Sequence, residues 1–225
     1  MKLTFYGHSS FGLEINGKHI LFDPFISPNE KASHIKVDEI PADYILVSHG
    51  HEDHVADVES IAKRTGATLV SNFEIVSYFQ GKGIENGHPM NFGGHWNFDF
   101  GRVQYVPALH SSVLPDGSYA GNPGGFIIET EEGTVYYAGD TALSMEMKLF
   151  ARKKLDTALL PIGDNFTMGI EDAVSAAEFI ECDNIIGMHF DTFGYIEIDH
   201  SKAKSAFESA GKKLTLMNIG ETLNI

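Results

Sequence analysis

Four of the seven residues in Ser48-His49-Gly50-His51-Glu52-Asp53-His54 are histidine or aspartate. His49 and His51 stand two apart, so in extended chain they project to one side, and a turn into a helix brings Asp53 and His54 back toward the same point. Three imidazoles and a carboxylate within six residues form the ligand mixture taken by borderline-soft divalent ions such as Zn²⁺. Four ligands do not complete two metal sites. Further candidates follow apolar runs that read as strands: His110 after 103–108, Asp140 after 135–138 and His189 after 185–188. In open α/β arrangements the ligand-binding residues lie outside strand ends, so these positions converge with the motif. Histidines that merely cap a helix or fill a core have no reason to fall at this spacing.

The elements that must carry these residues alternate in a regular way. Alternating apolar residues predict strands at 3–6, 11–15 and 19–22, the last two joined by the hairpin dipeptide Asn16-Gly17. Next come a strand at 44–48, a helix at 55–64, a strand at 68–71 and a helix at 74–80 stopped by Gly81. A second hairpin is predicted from 96–100 and 103–108 about Gly101-Arg102, and a third from 126–130 and 135–138. Helices at 145–152, 171–181 and 201–210 then alternate with strands at 157–161, 185–188 and 214–218. The two halves are alike, each with antiparallel strands followed by alternating strands and helices. The expected fold is therefore α/β, a four-layer αββα sandwich of two mixed sheets packed face to face with helices outside, in one domain over 1–225.

Composition narrows the function classes. Among 225 residues, 16 Lys and Arg oppose 31 Asp and Glu, a formal charge of −15 that repels a phosphate backbone and argues against nucleic-acid binding. The densest basic run, Arg152-Lys153-Lys154, reads as a solvated helix end. No stretch approaches the ~20 apolar residues that span a bilayer, and the run from Met1 to His8 has no apolar leader, so a cytoplasmic protein is expected. Cys182 is the only cysteine, which excludes a disulfide framework. The expected partner is a small-molecule substrate, with a homo-oligomer admitted and neither nucleic acid nor membrane involved.

On these residues the chain resembles the metallo-β-lactamase superfamily over essentially its whole length. Gly7-His8-Ser9-Ser10, Phe22-Asp23-Pro24 and the runs Pro161-Ile162-Gly163 and Phe166-Thr167-Met168-Gly169 resemble its uncharacterised prokaryotic metal-dependent hydrolase branch, related to ascorbate-6-phosphate lactonase and N-acyl-phosphatidylethanolamine phospholipase D. The resemblance implies two divalent ions, zinc first with manganese, iron or nickel as alternatives. It implies that His49, His51 and His110 hold one, that Asp53, His54 and His189 hold the second, and that Asp140 bridges them. Two such ions exceed the charge of two aspartates, so bound water ionises near neutral pH and a metal-bridging hydroxide becomes the nucleophile for an ester, lactone or phosphodiester-type bond. No G-x-S-x-G elbow competes with it.

Asp23 is expected behind the metal loop as a hydrogen-bond partner of a ligand, which places His8 nearby as a proton donor to the leaving group or a substrate contact. Asp53 has a second expected role in aiming the nucleophile. The glycine-rich segment 111–125 lacks periodicity and directly follows His110, so it is expected to border the pocket as a lid, with Tyr119 and Asn122 contacting substrate. Asn165 is a further substrate-binding candidate. The rival functions are a metal-dependent redox enzyme on the same fold, which the resemblance would mark by an acidic residue in place of His51, and a nuclease, which needs a basic arm.

Overall fold

The structure is a computed structural model that describes residues 1–225. Strands β1 (Lys2–Gly7), β2 (Ser10–Ile15) and β3 (Lys18–Phe22) form an antiparallel meander, with β2 and β3 joined by Asn16 and Gly17, both at positive φ. Strands β4 (Tyr44–Leu46), β5 (Thr68–Asn72) and β6 (Gly87–Met90) extend the sheet in parallel from β3. The crossovers are α1 (Glu52–Val55), α2 (Val58–Thr65) and α3 (Phe73–Gly81). The second sheet begins with the antiparallel strands β7 (His95–Phe98), β8 (Gly101–Pro107), β9 (Gly124–Thr130) and β10 (Gly133–Tyr137). Strands β11 (Thr157–Pro161), β12 (Asn184–Met188) and β13 (Lys213–Thr215) continue it in parallel, crossing through α4 (Ile170–Phe179) and α5 (His200–Ser209). The last strand, β14 (Thr222–Asn224), returns to the first sheet and pairs with β1, giving the orders β14-β1-β2-β3-β4-β5-β6 and β13-β12-β11-β10-β9-β8-β7.

This pairing decides where the chemistry sits. Strands β1, β3 and β4 run one way in the first sheet, and β8, β10, β11 and β12 share one direction in the second. His8, Asp23 and His189 directly follow the carboxyl ends of β1, β3 and β12, and His49, His110 and Asp140 lie three residues beyond those of β4, β8 and β10. The sheets meet through fully buried Leu3, Phe11, Leu13 and Ile20 on one side and Val103, Tyr105, Phe126 and Ile128 on the other. Each such aliphatic or aromatic side chain contributes roughly 1.5–3 kcal/mol by leaving water. At the site end Phe22 stacks on Tyr137 across the interface with ring centroids 4.6 Å apart. Ile61, Ile75 and Phe79 bury the outer face of the first sheet, and Ala173, Ala176, Ala177 and Phe207 that of the second. No helix is long and apolar enough to cross a membrane.

Several local features depart from the periodicity. The helix predicted at 55–64 is broken into α1 and α2 at Asp57, whose carboxylate accepts hydrogen bonds from the backbone N–H groups of Ile26 (2.6 Å) and Ser27 (2.9 Å) instead of facing solvent. The turn predicted at Gly101-Arg102 lies at Asp99-Phe100, because Phe100 is buried against Tyr44 and Phe98 and Phe98 pairs with Gly101. The predicted helix at 145–152 is two short 3-10 turns, Met145–Leu149 and Ala151–Lys153. The predicted strand at 214–218 ends at Thr215, and the short edge strands β6 and β14 were not foreseen.

Candidate metal centre

The loop from β4 to α1 holds the densest part of the site. His51 takes the position just before α1 with extended backbone, so that Asp53 and His54 turn back beneath His49. His49 Nε2 lies 3.0 Å from His51 Nδ1, and the rings of His49 and His51 each stand 5.1 Å from His110. These three form one group of converging ligand atoms, and Asp53, His54 and His189, with His8 beside them, form another. Asp140 lies between the groups. Its Oδ2 is 3.0 Å from His189 Nε2, 3.3 Å from His54 Nε2, 3.5 Å from His110 Nε2 and 3.9 Å from His49 Nε2. The structure thus brings together the seven residues in which the resemblance placed the ligands. Gly139 precedes Asp140 at φ +62°, and a Cβ there would stand 2.7 Å from Ser48 Cβ and 2.8 Å from the Gly124 carbonyl, so only glycine lets Asp140 this close to the metal loop.

Behind the ligands Asp23 is fully buried and saturated. It accepts from the backbone N–H of Ser48 (2.7 Å), from the Ser48 hydroxyl, from Tyr137 OH (2.7 Å) and from His54 Nδ1–H (2.8 Å). The last bond fixes the His54 tautomer with Nε2 directed into the cluster, the arrangement by which a carboxylate orients a metal-ligating imidazole. Asp23, His8 and His189 are all held at positive φ, at 39°, 55° and 56°. Strain of this kind in non-glycine residues is tolerated where the surroundings over-determine a working geometry.

The electrostatics suit a cation. Burial pushes His49, His51 and His110 below the usual imidazole range, which leaves them neutral. Burial opposes the charged forms of Asp53 and Asp140, but His54 and the His8 hydrogen bond for the first, and His189 and His54 for the second, hold both well below the usual carboxylate range. Neutral imidazoles and ionised carboxylates are the states in which these groups bind metal. His54 is the exception: burial would lower it, yet Asp140, Asp53 and Asp23 drive it well above its ordinary value. Here a proton balances carboxylates that a metal ion would otherwise balance. Three buried atoms of the cluster, His54 Nε2, His189 Nδ1 and Asp140 Oδ1, have no hydrogen-bond partner. Such orphans cost about 1–3 kcal/mol each, and His54 Nε2, 3.3 Å from Asp140 Oδ2, lies where a shared cation would satisfy it. The donor set therefore fits a divalent metal.

A cleft of about 700 Å³ opens on the cluster, lined by His51, Asp53, His110, Ser111, Asp140 and His189 together with Phe166, Phe193, Gly194 and Tyr195. Three expectations change here. Segment 111–125 reaches the cleft only through Ser111; Tyr119 bonds to the Asn122 side chain (3.2 Å), and the Ala120 and Asn122 carbonyls are tied to the Asn72 amide at the start of α3. It is a buttress for Gly50, not a lid. Asn165 also stays off the cleft, with its N–H turned to its neighbour Asp164 (2.8 Å) and Phe166 reaching in instead. His8 adjoins the ligands but is buried and does not line the cleft, since its ring is held between Asp53 Oδ2 (3.0 Å to Nε2) and Thr192 Oγ1 (2.9 Å to Nδ1). It has no open path to a leaving group. The cleft aromatics Phe166, Phe193 and Tyr195 went unnoticed in the sequence, where the one available signal was their place in loops after β11 and β12.

Two mixed sheets that bring histidines and aspartates to their common strand ends define the metallo-β-lactamase fold. Residues 2–189 match the family described as the beta-lactamase superfamily domain, and the chain belongs to that superfamily. Within it the chain belongs with the UPF0173 metal-dependent hydrolases: it is 58% identical to the relative of that name from Flavobacterium johnsoniae and 56% identical to that from Christiangramia forsetii, covering 100% of both chains in each case. Among solved structures it is similar to Igni18, described as a novel metallo hydrolase from Ignicoccus hospitalis, with 37% identity, a TM-score of 0.89 and coverage of 99% of this chain and 97% of that one.

Proposed function

We propose that the protein is a hydrolase that works with two divalent metal ions, zinc first among them, on an ester, lactone or phosphodiester-type bond of a small substrate. The observation that carries this reading is the placement of Asp140 Oδ2 within 4 Å of imidazole nitrogens from both histidine groups. His49, His51 and His110 would hold one ion, Asp53, His54 and His189 the other, and Asp140 both. When bound, such a pair polarises the substrate oxygen and lowers the pKa of water to about 7. Asp53, on the cleft wall, is placed to accept a hydrogen bond from the attacking water and aim it. The test is elemental analysis joined to a screen of ester, lactone, thioester and phosphodiester substrates. Two metal equivalents and cleavage of one class that chelation abolishes are expected. A single tightly held equivalent, or no cleavage of any class by the loaded protein, would overturn the reading. Chelation should also lower the melting temperature: an ion at a thousand times its Kd stabilises by about 4 kcal/mol, or roughly 8–16 °C for a domain of this size.

His8 acts in this reading as a positioning residue. The ionised Asp53 Oδ2 can only accept, so His8 Nε2–H donates to it and holds that carboxylate in place, which leaves Nδ1 of a neutral ring to accept from the Thr192 hydroxyl. His8→Ala is expected to weaken one metal equivalent and lower turnover by about 10–100-fold, the usual effect of losing a partner behind a ligand. Thr192→Val should shift both in the same direction by less. Metal titration and kcat on both variants check this, and complete loss of one metal equivalent from His8→Ala would make His8 a ligand.

A further inference from the structure

We propose that the substrate's non-reacting part is a planar, uncharged apolar group, not a phosphorylated or carboxylated one; this rests on the metal-dependent reading above and specifies what the same cleft accepts. Phe166 comes from the loop after β11, and Phe193 and Tyr195 from the loop after β12, so two separate segments place aromatic rings at one mouth. Phe166 and Tyr195 are 52% and 79% exposed, with ring centroids 6.3 Å apart and planes inclined at 75°. Single exposed aromatics are ordinary, but here two in contact with each other share the mouth of one cleft, and such contiguous apolar patches mark ligand sites. Phe193 is anchored instead, with its ring 5.4 Å from His8 and 6.2 Å from Phe25, and so forms a fixed floor. The loop that carries it is closed on itself: the Asp191 carboxylate accepts from Ile198 N–H (3.0 Å) and pairs with His200 (2.6 Å).

The charges point the same way. No lysine or arginine lines the cleft, whereas Asp53 and Asp140 do. Lys31, which reaches the aromatic loop from the other half of the chain, spends its ammonium on the Asp191 carbonyl. A bound metal pair meets the reacting oxygen, but an anionic tail lying along the rim would find no side-chain cation and would lose its hydration. A flat apolar group laid across the exposed faces of Phe166 and Tyr195 removes aromatic surface from water at no such cost. The occupant follows from continuity with the cluster: whatever covers these rings must present its reacting bond a few ångströms away, which fits a small molecule rather than a protein surface.

The test uses ligands that need the metals but no particular scissile bond. Metal-loaded protein is titrated calorimetrically with 3-phenylpropanohydroxamic acid and with succinic monohydroxamic acid, which share a metal-binding head and differ in an aryl or a carboxylate tail. The aryl compound is expected to bind at least about tenfold more tightly, and a Phe166→Ala/Tyr195→Ala variant with unchanged metal content should lose most of that gap. Equal or tighter binding of the succinic compound, a gap that survives in the double variant, or no binding of either by protein that carries its metals would overturn the proposal. Failure of the hydrolase reading shows separately, in the bond screen and the elemental analysis.

Discussion

Asp140→Ala is expected to lower turnover by at least about 10³-fold and to remove one metal equivalent, the largest catalytic effect of any single substitution in the site. Asp140 is the one residue whose carboxylate faces both histidine groups, so its removal opens each at once. Charge stabilisation by a positioned metal contributes several kcal/mol to a transition state, and about 4 kcal/mol corresponds to three decades in rate. Loss of fold is a weaker rival explanation here than at Asp23: removing Asp140 breaks its buried pairs with His189 and His54, but it also removes the desolvation of a carboxylate whose Oδ1 is unpartnered. The metal-free variant should therefore melt below the metal-free parent by less than an Asp23→Ala variant does, while the rise in melting temperature on adding metal shrinks. If the variant keeps two metal equivalents and turns over within tenfold of the parent, Asp140 does not bridge.

How much of this was legible in the sequence depends on how local the signal is. His49, His51, Asp53 and His54 announce themselves because the strand, turn and short helix that gather them are contiguous. His110, Asp140 and His189 were legible because each directly follows an apolar run, and strands that share a direction bring such ends together whatever their separation in the chain. Asp23 followed by the same logic. What failed is what depends on tertiary context. Asp57 breaks a helix that periodicity alone would continue, since two backbone N–H groups from residues 26 and 27 compete for its carboxylate. Segment 111–125 has the glycines of a mobile loop, yet its carbonyls are tied to Asn72 and its backbone packs against Gly50. Phe166, Phe193 and Tyr195 lie in aperiodic loops, where an aromatic residue that lines a cleft and one that is simply exposed read alike. His8 was placed near the ligands correctly, but the hydroxyl that occupies its other nitrogen belongs to Thr192, far along the chain.

Asp23→Ala is expected to be the most destabilising substitution in the site, although Asp23 is not among the seven residues assigned to the metals. Four donors converge on its carboxylate: the backbone N–H and hydroxyl of Ser48, the phenol of Tyr137 and His54 Nδ1–H. They come from the metal loop, from the far sheet and from α1, so Asp23 joins the two sheets at the point where both feed the site. None of these donors can turn to solvent: Asp23, Ser48 and His54 are 0% exposed and so is Tyr137, which keeps only its bond to the Ser9 carbonyl (2.8 Å). Removing one partner of a buried charged network costs about 3–5 kcal/mol, which for a chain of this length lowers the melting temperature by roughly 6–20 °C. His54 would also lose the acceptor that fixes its tautomer, so one metal equivalent should bind about 10–100-fold more weakly. Asp23→Asn separates the two effects. It keeps an acceptor for part of the network and should recover part of the stability, but an amide nitrogen cannot accept from His54, so the metal affinity recovers only if the carbonyl oxygen takes that side. Thermal melts of metal-free protein and metal titrations of both variants measure these separately. A melting temperature within 2 °C of the parent for Asp23→Ala would show that the carboxylate does not hold the sheets together at the site.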